Sequence, residues 1–196
     1  MNEIVNLLNE IGMLAHIPRS GLGFLGSGKQ SVAEHSYRVA LIAYALARLS
    51  KDSIDLNKLV MICLLHDLPE ARIGDLNYVQ KKYVEPMLEK ALQDLSDGSF
   101  LGPEIVGWIE EYENGTSLES KIAHDADQLE LILLLKREHE LGNIKAADWY
   151  QKARQRLTTP MGVELAESII QTSSDSWWIG NPDDPHWIDG GTNIDQ

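Results

Sequence analysis

The chain has 196 residues, 43 % of them apolar and 24 % charged, the composition of a soluble globular protein long enough to bury a sizeable core. No run approaches the roughly 18 consecutive apolar residues of a membrane-spanning helix. With 30 acidic and 17 basic residues the formal net charge is −13, which excludes nucleic-acid binding through a basic stripe but leaves room for a small anionic substrate at a local cluster of cations.

The opening MNEIVNLLNEIG has neither a basic flank nor a continuous apolar run, so it does not read as a secretory signal. Ile4, Leu7, Leu8, Ile11 and Leu14 recur near every 3.6 residues and predict a helix over 3–15. The glycine-rich stretch 21–29 predicts a loop; it lacks the Gly-Lys-Ser/Thr ending of a phosphate-cradling P-loop. Ser31 and Glu34 form a capping-box pattern that predicts a helix from there to about Leu49. Asp55 can cap the next helix, which carries the apolar run around Cys63 and should tighten or kink near Pro69. A lone cysteine in such a run reads as a buried, reduced thiol of a cytoplasmic protein.

Two amphipathic segments follow, at 80–97 and 103–114. Thr116 and Glu119 make a second capping-box pattern, opening a long helix to about Leu141 that Gly142 and Asn143 end. Further helices are expected at 144–157 and, with Thr159 as cap and Pro160 in the first turn, at 160–172. Residues 1–172 therefore read as one all-α domain. Residues 173–196, rich in Gly, Pro, Asp and Trp, read as an irregular tail packed on it.

Chemistry concentrates at His35, the adjacent pair His66 and Asp67, and Asp127, each in or beside an apolar run on a different predicted helix. Charged groups rarely enter such runs unless they are paired or bind metal. Imidazole and carboxylate donors without thiolates suit one divalent first-row ion (Mn, Co, Fe, Ni or Zn) and argue against a Cys-rich structural zinc site. Any one of these residues alone would more often be a core or surface residue. The ordered set of four is far more specific.

That ordered set resembles the HD superfamily of metal-dependent phosphohydrolases, and the surrounding motifs resemble its 5′-deoxynucleotidase branch. They are Pro18-Arg19-Ser20-Gly21, Ser31 through Ser36, Leu64 through Ala71, Gly74-Asp75, and Asp127 through Glu130, spread over about residues 5–170. The resemblance implies an all-helical HD bundle whose His35, His66, Asp67 and Asp127 hold the catalytic metal. It implies that Glu70, on the same helical face as His66 and Asp67, orients or deprotonates the attacking water. Arg19 would orient the phosphate, Asp75 would touch the nucleotide, and Leu76, Asn77 and Tyr78 would complete the substrate-binding turn. Competing explanations are a surface arginine for Arg19, a helix-end glutamate for Glu70, and a local Asx-turn for Asp75.

The chain departs from the family where a tryptophan often follows the arginine: here the run is Ser20-Gly21-Leu22-Gly23-Phe24. Asn77 stands where a proline is common, and His124 where similar proteins tend to carry lysine. The expected reaction is hydrolysis of the 5′-phosphate of (deoxy)ribonucleoside monophosphates, with a nucleotide as partner, and with neither nucleic acid nor membrane. The alternatives are a nucleoside-triphosphate hydrolase on the same scaffold and a catalytically silent nucleotide-binding module. A homodimer accords with the resemblance and with the surplus of tryptophan near the C-terminus.

Overall fold

A computed structural model describes residues 1–181, 183, 184 and 186. In these residues the chain is helical, without a β-sheet; a single antiparallel bridge joins Pro18 to Ser31. In chain order the helices are α1 (Asn2–Met13), α2 (Leu22–Leu25), α3 (Val32–Leu49), α4 (Leu56–Leu65), α5 (Glu70–Ile73), α6 (Leu88–Asp97), α7 (Gly102–Asn114), α8 (Leu118–Glu140), α9 (Lys145–Arg154), α10 (Pro160–Gln171) and α11 (Ser176–Ile179). None is long and apolar enough to cross a membrane.

The long helix α8 is the axis of the bundle, and α3, α4, α7, α9 and α10 pack against it. Its apolar positions Ile122, Leu129 and Ile132 meet Val39, Ala43 and Leu46 of α3 and Leu59 and Ile62 of α4 in one fully buried core. A second cluster joins Leu7 of α1 and Leu65 at the end of α4 to Leu95 of α6 and Ile105 and Ile109 of α7. Burying each such side chain is worth about 1.5–3 kcal/mol, so α3, α4 and α8 are locked in register. The site residues ride on these three helices and the turn after α4.

Helix starts follow the side-chain caps. Ser31 Oγ accepts from the Glu34 backbone N–H while a Glu34 carboxylate oxygen accepts from the Ser31 N–H at 2.7 Å, closing the expected box. Asp55 accepts from the Lys58 N–H, and Thr159 from that of Gly162. After Leu65 the chain tightens: Leu68, Glu70 and Ala71 each donate to the carbonyl three residues back, and Pro69, lacking an N–H, sits where a regular helix would need one.

Four local expectations are corrected. The 21–29 stretch contains α2, because Leu22 and Leu25 insert against Leu134, Leu135 and Ala146, and Gly26 ends it at φ +78°. The 80–97 segment is broken. A 3-10 turn at Gln80–Lys82 is followed by non-helical residues until α6, since Pro86 removes a donor and disfavours helix at Glu85. The cap of α8 is Ser117, which accepts from Ser120 N–H; Glu119 is instead bound by the Asp55 N–H at 3.0 Å and by Lys58. The C-terminal tail holds the short helix α11, and its beginning is tied to α8 by Ser174 N–H donating to Glu140 at 3.0 Å. Trp177 of this segment is exposed. Trp187 lies outside the described residues.

Candidate metal centre

His35 enters the site from the first full turn of α3, fixed by the Ser31–Glu34 box, and is fully buried. His66 closes α4, Asp67 begins the tight turn after it, and Asp127 comes from the middle of α8. The packing of α3, α4 and α8 brings donor atoms of His35, His66 and Asp127 within 4.8 Å of one another. Asp67 stands beside them, its Oδ2 at 3.3 Å from His66 Nε2 and 3.7 Å from His35 Nε2.

Both imidazoles are oriented from behind. His35 Nδ1 lies 2.9 Å from the buried Glu130 carboxylate, and His66 Nδ1 lies 2.9 Å from the Cys63 carbonyl. Both partners can only accept, so each Nδ1 carries the proton and each Nε2 turns a lone pair toward the cluster. His35 Nε2 is 3.1 Å from Asp127 Oδ1, yet no hydrogen bond satisfies it, which leaves a buried nitrogen with an unused lone pair. Such an atom is costly to bury unless a cation completes it. Two aimed imidazoles and a carboxylate therefore fit a divalent first-row ion.

The electrostatics point the same way. Burial disfavours charge on His35, but Asp127 and Glu130 outweigh it and raise its proton affinity. Burial is likewise overcome at His66, where Asp67 and Asp127 lift the pKa to about 9. Against the effect of burial, the histidines and Arg19 hold Asp67 down at about 2 and Asp127 well below the usual carboxylate range. This is a pocket of concentrated negative potential, the environment a divalent ion neutralises.

Arg19 reaches the rim, its Nη1 donating to Asp67 Oδ2 at 3.2 Å and its Nε 3.8 Å from Asp75 Oδ2. Asp75 also accepts from the Ser20 backbone N–H at 2.9 Å. It thus pins the arginine segment across 55 residues of sequence, instead of closing a local Asx-turn. Glu70 is at the start of α5, one carboxylate oxygen buried and without a hydrogen-bond partner. Burial, followed by Asp67 and Asp75, pushes its pKa up to about 8.

The turn after Asp75 carries its own local contacts. Asn77 Oδ1 accepts from Val79 and Gln80 N–H groups, capping the 3-10 turn, and Tyr78 is exposed with Lys82 Nζ 4.2 Å above its ring. Leu76, Asn77 and Tyr78 make no hydrogen bond or ion pair to the His35, His66 and Asp127 cluster among the described residues.

Roles that sequence reading did not assign belong to Glu130 and Tyr112. Glu130 is almost fully buried, bound to His35, to Gln30 Nε2 at 2.7 Å and to Arg38 at 3.1 Å. Its spacing of three from Asp127 puts both on one face of α8, the one sequence signal available. Tyr112 packs its ring 4.7 Å from that of His66 and sends its hydroxyl to Asp127 Oδ2 at 3.4 Å. His124 stacks on Tyr112 at 4.0 Å and bonds its carbonyl, so it supports the site from behind.

Comparison with known proteins agrees with this geometry. The family model for the HD domain matches residues 11–168. Among curated proteins, the chain is 30 % identical to the 5′-deoxynucleotidase HDDC2 of Dictyostelium discoideum, covering 89 % of this chain and 99 % of that one. It is 26 % identical to the human protein of the same name, over 85 % of this chain and 84 % of the other. Among solved structures, a conserved hypothetical protein of Pyrococcus furiosus superposes with a TM-score of 0.74 at 30 % identity, covering 86 % of this chain and 99 % of the other. The all-helical bundle, the convergent His, His and Asp donors on three packed helices, and a match spanning most of the sequence place the chain in the HD domain family.

Proposed function

We propose that this chain is a metal-dependent hydrolase that removes the 5′-phosphate from (deoxy)ribonucleoside monophosphates, giving nucleoside and phosphate. The observation that carries the reading is the juxtaposition of the His35, His66 and Asp127 donors with a rim arginine and a buried, unpartnered carboxylate. The relatives named 5′-deoxynucleotidase support the choice of substrate.

In this reading His35, His66, Asp67 and Asp127 hold one divalent ion, with Asp67 the bridge between the ligand set and Arg19. Such an ion supplies Lewis-acid polarisation of the phosphate and lowers the pKa of water. Arg19 offers a planar fork of donors to the phosphate oxygens, held in aim by Asp67 and Asp75. Glu70 takes the proton of the attacking water. Its pKa of about 8 in the cation-free protein suits a base that must accept a proton near neutrality. Asp75, with the neighbouring Leu76, Asn77 and Tyr78, faces the nucleoside side of the substrate. Residues 1–172 act as one catalytic domain with the tail attached to it.

The test is phosphate release from a panel of deoxy- and ribonucleoside mono- and triphosphates with Mn, Co, Fe, Ni or Zn added singly. Monophosphate turnover that requires metal is expected. Release from triphosphates alone, or none from any nucleotide, contradicts the proposal.

A further inference from the structure

Beside the stretch of α8 that carries Asp127 there is a second concave site, lined by Gly115, Lys121, His124, Gln128, Arg156 and Thr158, with a volume of about 370 Å³. Three of these six residues are Lys, Arg or His, and none is a carboxylate. In a chain of net charge −13 that is an unusual wall. The cavities beside 15–34, 28–141, 76–86 and 47–56 each include at least one acidic side chain. The nearby Asp125 presents no free oxygen to this site. It is fully buried, and both its oxygens are consumed by the N–H and hydroxyl groups of Thr158 and Thr159 at 2.5–3.2 Å.

The cations have donors to spare. Lys121 has no ion pair or side-chain hydrogen bond among the described residues, and Arg156 commits one N–H, from Nη1 to Gln128 Oε1 at 3.2 Å. Gln128 then donates from Nε2 to Asp127 Oδ2 at 2.8 Å. An occupant that draws on Arg156 is therefore connected to a metal-binding carboxylate by a chain of two hydrogen bonds. His124, stacked on Tyr112, is the second link from this cavity toward the centre.

We infer that this cavity is a second binding site, for a small phosphate dianion, distinct from the catalytic centre and connected to it through Arg156, Gln128 and Asp127. Lys121 and Arg156 supply the charge-assisted donors, and a fork of guanidinium N–H groups matches two phosphate oxygens. The volume accommodates inorganic phosphate or the phosphate end of a nucleotide. The site does not depend on which nucleotide the catalytic centre hydrolyses.

Backbone and side-chain amide NMR on the zinc-loaded full chain tests it, with one titration of inorganic phosphate and one of a non-hydrolysable deoxynucleoside 5′-phosphonate, against chloride at matched ionic strength. We expect saturable movement of the Gly115 and Thr158 amides and of the Gln128 side-chain amide in at least one titration; which one identifies free or nucleotide-borne phosphate as the occupant. In a Lys121→Ala, Arg156→Ala protein whose remaining spectrum is unchanged, the apparent affinity read at Gly115 and Thr158 should fall at least about 10-fold, while signals near Arg19 still respond. The inference is overturned if chloride reproduces the shifts, if they fail to saturate in both titrations, or if the double variant titrates like the wild type. If the double variant does not fold, Lys121→Gln alone must weaken the Gly115 response, and an unweakened response overturns the inference equally.

Discussion

The finest scale at which the account can fail is the pair of carboxylates that are not themselves ligands. Glu130 is sealed in the core and bonded to His35 Nδ1, a position where a charge is tolerated because His35, Gln30 and Arg38 all pair with it. Glu130→Gln keeps the shape but can offer its N–H to a ring nitrogen that needs an acceptor. The histidine is then free to rotate or change tautomer. We expect metal affinity, measured by competition with a chelator, to drop about 10–100-fold, the usual effect of losing such a supporting partner. Glu70→Gln should do the opposite: metal content intact, and kcat lower by about 100-fold or more, because only the proton acceptor is gone. Wild-type turnover in Glu70→Gln would return that residue to a helix-end role.

These two residues also show how far the sequence could be read. His35, His66, Asp67 and Asp127 stood out because each interrupts or borders an apolar run, and Glu70 because it is one turn from His66. The task of Glu130 was hidden. Its partners lie 95 and 100 residues away, and no local pattern announces such a contact. The same holds for the bond of Asp75 to Ser20 N–H, which spans 55 positions and is neither the expected nucleotide contact nor the competing local turn.

Among the secondary-structure elements, what positions the site is the start of α3 and the segment before it. The Ser31–Glu34 box fixes where α3 begins, and His35 follows at once. Ser31→Ala should cost about 1 kcal/mol, or roughly 2–4 °C in Tm for a protein of this size, with a loss of metal affinity if the first turn frays. No change in either quantity would show that α3 is fixed by packing alone. Immediately upstream, Arg19, Ser20, Leu22, Gly23 and the run Gly26 to Ser31 help wall a cavity of about 830 Å³, with Gly23 and Gly26 open where a Cβ would stand. Phe24, the one aromatic on α2, is half exposed and does not line it. Without a tryptophan, the wall should discriminate weakly between bases. Across a panel of deoxynucleotides, we expect kcat/KM to vary by less than about 100-fold, roughly 2.7 kcal/mol; a larger preference would mean that another side chain replaces the missing ring. Helix existence was legible here from caps and 3.6-residue periodicity. The short α2 was not, since four residues carry no period and form only because Leu22 and Leu25 find a seat on α8 and α9.

For the molecule as a whole, the bundle brings two buried histidines, a buried glutamate and the partly buried Asp127 near one another, an arrangement that would be unfavourable without a cation to balance it. Metal should therefore stabilise the fold as well as enable turnover: at 100 times its Kd it adds about 2.7 kcal/mol, so chelation should lower Tm by several degrees. The most direct measurement combines both readouts in one titration. Chelator-stripped protein receives a divalent ion in sub-stoichiometric steps, while Tm and phosphate release from a deoxynucleoside monophosphate are followed together. The account predicts that both rise in parallel and level off at about one ion per chain, and that His66→Ala shows neither rise. Full phosphate release from the stripped protein, or from His66→Ala, would contradict it.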